Sequence, residues 1–392
     1  MYISLDILIY LPIIYTIYTI GVIMTINIGE GMRRLWSRDL QNIVSAVRSG
    51  TFEYKEKEGK LIDWSKYDAA QVNEITDILQ MINDAVDAAY GRVISREPKK
   101  KRPPGKPLIP ADDIAKIMLL QCYFGFSNRV SAGFLKIFTA IKFSKSFSYK
   151  TVERGYDPDR TKPIFDEVFR LTNEWSNFNG DMTGFDGTGD PNTIKINYEN
   201  KRSEQRAKIK RINGAWPSKK HDFQYSVIGT GMHTKIISGF SSTDNHHIGE
   251  LSQFPNSMRQ THLNIPNLVI VVGDTLYACR SVCKQVSNYG AALYSLPKSN
   301  CTLKSYGVRD WKRMVYGLIL DPQGFLEIFH NRSISETVNS MMKRREPIPI
   351  RKRIPWRKDV EEFLKVNIHN LRQSCYLSYL APTMTRIPLH GG

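Results

Sequence analysis

The sequence has few of the residues that hold transition metals or close a disulfide framework. Its five cysteines form no C-x-x-C pair, and its eight histidines show no zinc-ligand spacing. The Gly187-Thr188-Gly189 run is not part of a dinucleotide fingerprint and is followed by no P-loop lysine. These absences argue against a zinc site, a disulfide-stapled secreted domain and a nucleotide-binding loop. They predict an intracellular protein with reduced thiols.

Acidic residues are in the minority. The 55 Lys and Arg outnumber the 38 Asp and Glu, which gives a formal net charge of +17. The basic residues are clustered, and such clusters predict a polyanionic partner, for which nucleic acid is the best fit. At 392 residues the chain can bury a substantial core and is long enough for two or three domains.

Charge is absent altogether from residues 7 to 28, which are rich in Ile, Tyr and Thr. A run of this length can cross a bilayer core of about 30 Å, and Arg33 and Arg34 would then lie on the cytoplasmic side. The alternative, which we favour, is that translation starts at Met24 or Met32, because a span fits poorly with the basic remainder. Residues 1–30 are thus an apolar extension, and we expect a cytoplasmic, nucleoid-associated protein without a membrane partner.

Residues 31–97 are predicted to form a helical accessory region. Its clearest apolar face consists of Ile75, Ile78, Leu79, Ile82 and Val86. Residues 98–110 follow as a basic, proline-rich linker, because residues 98–107 hold five cations among four prolines. The linker is either a solvated hinge or an arm that follows a DNA backbone.

Residues 111–175 are predicted to be helical and to contact DNA. Asp112 or Asp113 can cap a first helix, Ser127 and Asn128 can start a second, and Ser148 to Arg154 can open a third. Cations lie at the helix ends, as in a helix-turn-helix reader: Arg129, Lys142, Lys145, Lys150 and Arg154. A plain helical bundle is the alternative.

Residues 176–382 contain two aspartates next to strand-like runs, and residues 383–392 form a tail. Asp186 is expected where a strand gives way to Gly187-Thr188-Gly189, a run that follows neither Asp181 nor Asp190. Asp274 follows the apolar run 268–272, which is typical of a buried central strand. Its alternative role is to cap a helix starting at Thr275. Between the two acids, the sequence predicts a hairpin around residues 229–231 and then a helix.

That helix, capped by residues 242–244, is expected to carry His246, His247 and Glu250 in surface or capping roles. The preceding loop, residues 200–220, is strongly basic. We assign its Lys208, Lys210 and Arg211 to contacts with DNA phosphates. A strand is predicted at 291–296, followed by Lys298.

The segment 329–343 is predicted to be a helix entered from a strand. Arg332, Glu336 and Lys343 share one face of it, while Ile334, Val338 and Met341 are expected to dock on the core. The alternative for Ser333 and Glu336 is a capping box on a solvated face. Strand-like pieces precede this helix at 311–316, 318–320 and 325–329, and a closing helix follows at 360–379.

The spacing Phe329-x2-Arg332-x3-Glu336-x6-Lys343 resembles the Y-(2)-R-(3)-E-(6)-K signature of insertion-sequence DDE transposases, with Phe329 in place of the tyrosine. The resemblance implies an α/β, RNase H-like mixed sheet flanked by helices and preceded by an all-α region. It implies that Asp186, Asp274 and Glu336 are catalytic and bind two Mg²⁺ or Mn²⁺ ions. It also implies a protein, usually a homodimer, that cuts double-stranded DNA at its element's ends and joins them to a target.

Arg332 and Lys343 are then expected to bind phosphates near Glu336. Lys298, Arg344 and Arg345 are further predicted DNA contacts, and Trp311 is a candidate to stack on a displaced base. Three alternatives stay open at this stage. They are a catalytically inactive, DNA-binding relative, a metal-dependent nuclease without strand transfer, and a membrane-anchored basic protein if residues 7–28 form a span.

Overall fold

The computed structural model describes residues 35–53, 62–96, 109–136, 141, 143, 148–176, 180–192, 223–245, 247–345 and 349–382. Within these ranges no helix is both long and apolar enough to span a membrane. The predicted apolar extension, almost all of the linker, Lys142, Lys145, the basic loop with Lys208, Lys210 and Arg211, His246 and the tail lie outside the described residues.

Helices come first along the chain, and a mixed sheet with its own helices follows. The helices before the sheet are α1 (Ser37–Ser49), α2 (Trp64–Arg96), α3 (Ala111–Phe124), α4 (Asn128–Phe134), α5 (Tyr149–Gly155) and α6 (Pro158–Trp175). The sheet region contains β1 (Met182–Pro191), β2 (Phe223–Gly231), β3 (Ile237–Thr243), α7 (Glu250–Asn264), β4 (Ile270–Gly273), α8 (Arg280–Asn288) and β5 (Ala292–Tyr294). Then come α9 (Arg309–Leu320), α10 (Pro322–Phe329), a 3-10 turn (His330–Arg332), α11 (Ser333–Arg345) and α12 (Pro355–Leu380).

The five strands have the order β3-β2-β1-β4-β5, with β1 in the centre. The β1–β2 and β2–β3 pairs are antiparallel, and β4 and β5 run parallel to their neighbours. This mixed sheet with flanking helices and a helical N-terminal region is the α/β, RNase H-like arrangement expected from the sequence. The predicted order of strands and helices from Asp186 to Glu336 is confirmed from β1 to β5 and again for α11, but not for α9 and α10 between them.

Each face of the sheet has its own hydrophobic core, because successive strand residues point to opposite faces. Ile228 and Ile237 belong to the core formed with helices α2, α3, α6, α11 and α12. Phe185, Val227 and Val271 belong to the core formed with α1 and α7 to α10. The two helices of the predicted accessory region therefore pack into different cores.

The long helix α12 contacts both the N-terminal helices and the sheet. It packs against α2, α3 and α6, and its Asn370 side chain bonds the edge strand β3. The amide accepts a hydrogen bond from the Ile237 N–H and donates one to the Ile237 carbonyl, both at 2.8 Å. A side chain thus takes the place of a neighbouring strand at this point of the sheet edge.

The strand-like pieces predicted between β5 and Glu336 are helical, and that prediction is wrong. Residues 311–320 lie in α9 and residues 325–329 in α10, so Phe329 ends a helix rather than a strand. The buried residues of α9 are Trp311, Met314, Val315 and Leu318, which recur at helical spacing. Short apolar runs fit a buried strand and a buried helix face equally well, which explains the error.

Several predicted boundaries also move. Strand β1 continues through Gly187-Thr188-Gly189, and the same is true of β2 through residues 229–231, so neither run forms a turn. Helix α3 begins after Pro110, which leaves Asp112 and Asp113 in its first turn. Strand β3 runs to Thr243 and α7 begins at Glu250, so residues 242–244 do not cap α7. Ile75 is 57% exposed, whereas Ile78, Ile82 and Val86 are buried as predicted.

Candidate active site

The sheet register brings Asp186 and Asp274 together. Strands β1 and β4 are parallel neighbours, and their last paired residues are Phe185 and Gly273. Each aspartate is the next residue along its strand, so both follow the point where β4 ends. The expectation that Asp186 ends its own strand is wrong, since β1 continues along β2 to Pro191. It is the neighbour β4 that stops and leaves the space beside Asp186.

Asp274 does not cap a helix. Its Oδ1 atom accepts a hydrogen bond from the Leu276 N–H at 2.7 Å, and α8 begins only at Arg280. The Ser295 hydroxyl donates to the Asp274 carbonyl oxygen at 2.5 Å, which fixes the backbone of this residue from β5. The turn thus holds the Asp274 carboxylate at the carboxyl end of the sheet, as the sequence predicts.

Helix α11 lies across β1, with Ser335 next to Gly184 and Asn339 next to Asp186. A Cβ atom on Gly184 would overlap the Ser335 hydroxyl, so only glycine lets the helix approach this closely. The Asn339 side-chain amide donates to Asp186 Oδ2 at 2.7 Å. Glu336 is one turn earlier on α11, 54% exposed, and paired with the Arg332 guanidinium.

The docking face of α11 differs from the predicted one. Its buried residues are Ser335, Val338, Asn339 and Met342, whereas Ile334 and Met341 are only partly buried. Ser333 and Glu336 form no capping box, because the 3-10 turn runs directly into the helix and the Ser333 hydroxyl donates to the His330 carbonyl. Counting apolar residues missed this face because two of its four members are polar.

The electrostatics at Asp186 show that the three predicted acids interact. Burial raises the pKa of Asp186, and the negative charges of Glu336 and Asp274 raise it further, against the opposing hydrogen bond from Asn339. The ionised form of Asp186 is therefore under-compensated by the protein's own groups. A carboxylate in this position favours a nearby cation.

A fourth carboxylate, Glu250, lies at the same end of the sheet. Its Oε1 accepts a hydrogen bond from the Tyr277 hydroxyl at 2.5 Å. Burial raises the pKa of Glu250, and the charges of Asp274 and Asp186 add to the rise. The surface or capping role predicted for Glu250 is wrong, and no local sequence pattern distinguishes this residue. The described neighbour His247 is exposed.

The oxygen donors present suit a hard divalent cation such as Mg²⁺ or Mn²⁺ better than zinc. Besides the carboxylates, the Oδ1 atom of Asn339 is buried and has no hydrogen-bond partner. As placed, however, no three acidic, histidine or cysteine side chains of the described residues surround one point closely enough to hold an ion. Glu336 in particular is turned outward to Arg332.

The predicted DNA-contacting cations occupy different surroundings. Lys343 is exposed and lines a cleft of about 610 Å³ with Gly187 and Glu250. Arg332 also stacks over the ring of the buried Phe329, at 5.4 Å from its centroid. Lys298 is exposed and follows β5, and Arg344 is exposed at the end of α11. Arg345 is half-buried and lies over the Tyr376 ring.

Trp311 is not available to stack on a base. It is 3% exposed, and its indole N–H donates to the Thr302 carbonyl at 3.1 Å. Arg280 covers its ring at 4.8 Å. Trp311 is a core residue of α9, so its suggested role in DNA binding is wrong.

No family model matches the chain, and no solved structure matches it. Among curated proteins, the chain is similar to a probable transposase for insertion sequence element ISA1214 from Archaeoglobus fulgidus, with 22% identity over 345 residues. The aligned region covers 88% of this chain and 98% of that relative. The similarity therefore extends over both the helical N-terminal region and the sheet.

Proposed function

We propose that this protein is a transposase that cuts double-stranded DNA at the ends of its own element and joins the 3′ ends to a target. The observation that carries the proposal is the register of β1 and β4, which places Asp186 and Asp274 side by side just after their last paired residues, at the point where α11, the helix of Glu336, contacts Asp186 through Asn339. The nearly full-length similarity to a probable insertion-sequence transposase supports it independently.

The three acids would hold two Mg²⁺ or Mn²⁺ ions. When bound, such ions activate water or a DNA 3′-hydroxyl for in-line attack on phosphorus and stabilise the leaving oxygen. Asp186 and Asp274 are fixed by strand register and by backbone and amide hydrogen bonds. Glu336 is exposed on a helix, so it reaches the site by turning away from Arg332. That rotation releases the Arg332 guanidinium to bind a DNA phosphate.

Lys343 is placed to bind the DNA backbone on the other side of Glu336. It lines the cleft that runs from Gly187 to Glu250, where its ammonium group would offset the charge of an incoming phosphate. Lys298, Arg344 and Arg345 would extend this basic surface. We further propose that the active complex is a homodimer that bridges two element ends.

A second DNA surface is proposed on the N-terminal helices. Arg129, Lys150 and Arg154 line a cleft of about 540 Å³ between α4 and α5. The acid in this cleft, Glu153, is already paired with Lys352 and Arg357, so the three outer cations add net positive charge. Clustered cations of this kind neutralise phosphates and release counterions on binding.

The test is a cleavage and strand-transfer assay on duplexes carrying the element's ends, with Mg²⁺. We expect activity in the wild-type protein and its loss in Asp274→Asn and Glu336→Gln, with DNA binding retained in both. The control is Glu327→Gln, which removes an exposed carboxylate of α10. Cleavage without strand transfer would instead identify a nuclease, and binding without cleavage in the wild type would identify an inactive relative.

A further inference from the structure

Glu250 lies against the catalytic strand in a way that only glycine permits. A Cβ atom on Gly187 would lie 2.6 Å from the carboxyl carbon of Glu250. Gly187 directly follows Asp186, so the side chain of Glu250 covers the backbone beside the first catalytic acid. Any other residue at 187 would push this carboxylate away from the sheet.

Glu250 approaches the site from the face opposite α11. Phe185 and Gly187 point to the face covered by α7, where Phe185 packs on Phe254. Gly184 and Asp186 point to the face covered by α11. Because β4 ends beside Asp186, groups from both faces meet there, and Glu250 interacts electrostatically with both Asp274 and Asp186.

Glu250 accepts hydrogen bonds from the Tyr277 hydroxyl and the Gly187 backbone, but no described cation pairs with it. The Tyr277 hydroxyl fixes Oε1, and Tyr277 itself is fully buried against Phe254. Among the described ion pairs none includes Glu250, and Lys343 lies across the cleft without pairing to it. A half-buried carboxylate near two others is costly unless a cation joins it.

A second oxygen donor faces the same cleft. Gln253 is one turn after Glu250 on α7, is 4% exposed, and lines the cleft with it. Its Oε1 atom is buried and has no hydrogen-bond partner. A buried amide oxygen left unpaired costs free energy that a ligand at this place would recover.

We propose that Glu250 is a fourth carboxylate ligand of the divalent-cation site, with Gln253 Oε1 accepting a hydrogen bond from a water on the same ion. The inference rests on the proposed function, because the ion it describes is the one shared with Asp186 and Asp274. It assigns the α7 side of the site to Glu250 and the α11 side to Glu336. The ligand set then reaches the ion from both faces of the sheet.

The test is titration of the full-length protein, free of DNA, with Mn²⁺, followed by electron paramagnetic resonance to count bound ions and measure their affinity. We expect Glu250→Gln to weaken Mn²⁺ binding at least tenfold, because Gln keeps the shape and the hydrogen-bond acceptor but loses the charge. Tyr277→Phe is the matched control, since it removes the Tyr277–Glu250 hydrogen bond but keeps the carboxylate. It is expected to bind Mn²⁺ within about threefold of the wild type.

The result that overturns the proposal is Mn²⁺ binding by Glu250→Gln with wild-type stoichiometry and affinity. Equal weakening by Glu250→Gln and Tyr277→Phe also overturns it, because the weaker binding would then follow from disturbed packing around residue 250 and not from the lost charge. Unfolding temperatures in EDTA show whether each variant is folded. If Glu250→Gln is not folded, Glu250→Asp replaces it in the test, because this variant keeps the charge but moves it back by one methylene. The proposal then requires Glu250→Asp to bind Mn²⁺ more weakly than Tyr277→Phe does. The proposed function fails separately, if Asp186→Asn and Asp274→Asn leave Mn²⁺ binding unchanged.

Discussion

Asp186 and Asp190 lie four residues apart on the same face of β1, yet their carboxylates have different partners. Asp190 accepts a hydrogen bond from the Lys365 ammonium of α12 at 2.6 Å, in a buried ion pair. Asp186 accepts a hydrogen bond from the neutral amide of Asn339, lies near other acids, and forms no ion pair among the described residues. Asp190 thus has a cation built into the fold, whereas Asp186 is the aspartate for which we propose a metal ion as the partner.

The buried pair is a structural connection between the sheet and α12. Lys365 lies between Asp190 and Glu362, whose carboxylate is 3.9 Å from its ammonium and also accepts from the Ser226 hydroxyl. Burial lowers the pKa of Lys365, but the charges of Glu362 and Asp190 outweigh it and raise that pKa above its usual value. Lys365 therefore stays charged, which compensates one of the two acids. The comparison separates a carboxylate that is paired within the fold from those proposed to bind a metal ion.

The largest expected effect is on catalysis. Asp186→Asn should reduce DNA cleavage by about 10³-fold or more, because it removes a proposed ligand of the reacting metal ions. Asp190→Asn should stay within about tenfold of the wild type, since Lys365 keeps Glu362 as a partner. Initial rates on end-bearing duplexes at saturating Mg²⁺ measure both. Equal losses would mean that the two aspartates do not differ in role.

The next effect is on stability. Lys365→Met should lower the free energy of unfolding by about 3–5 kcal/mol, because it leaves buried Asp190 and Glu362 without a cation. Lys162→Met is the control, since Lys162 pairs with Asp166 on the exposed surface of α6. It should cost less than about 1 kcal/mol. Urea denaturation of both variants measures the difference, and similar midpoints would contradict a structural role for the buried pair.

A smaller effect is expected at Asn339, which positions Asp186 rather than reacting itself. Asn339→Ala should reduce cleavage by about 10–100-fold, as is usual when a hydrogen bond to a metal-binding side chain is lost. The loss should appear in the Mg²⁺ concentration needed for half-maximal rate as well as in the rate. Asn339→Asp is the informative companion, because it adds a charge next to Asp186. If Asn339→Ala needs no more Mg²⁺ than the wild type, the amide has only a packing role.

The smallest effect is on the pH dependence of stability. The folded-state pKa of Asp186 is raised above its ordinary value of 3.8, so folding favours the protonated form. The folded state therefore binds more protons than the unfolded state between the two pKa values, and this contribution to stability falls as pH rises through that window. In EDTA, Asp186→Asn should melt at a higher temperature than the wild type at pH 7, and the gap should narrow towards pH 4. A gap independent of pH would contradict the charge argument.

The site divides into residues that the sequence could identify and residues that it could not. Asp274 follows a continuous apolar run that becomes a buried strand, and Glu336 belongs to a spaced signature, so local information sufficed for both. Asp186 was identified, but its position inside β1 depends on where the neighbouring strand β4 ends. The prediction of strands fails at α9 and α10, because short apolar runs carry no information on which neighbour will bury them.

By itself, the sequence determined the acids, the excess of basic residues and the order of elements along the chain from β1 to β5. Only the tertiary structure decided how those acids are compensated. Asn339 meets Asp186 across 153 residues, Lys365 meets Asp190 across 175, and Glu250 reaches the backbone beside Asp186 from the opposite face of the sheet. The physical reason is that periodicity and spacing act within one element, whereas charge compensation depends on which groups packing brings within hydrogen-bonding distance.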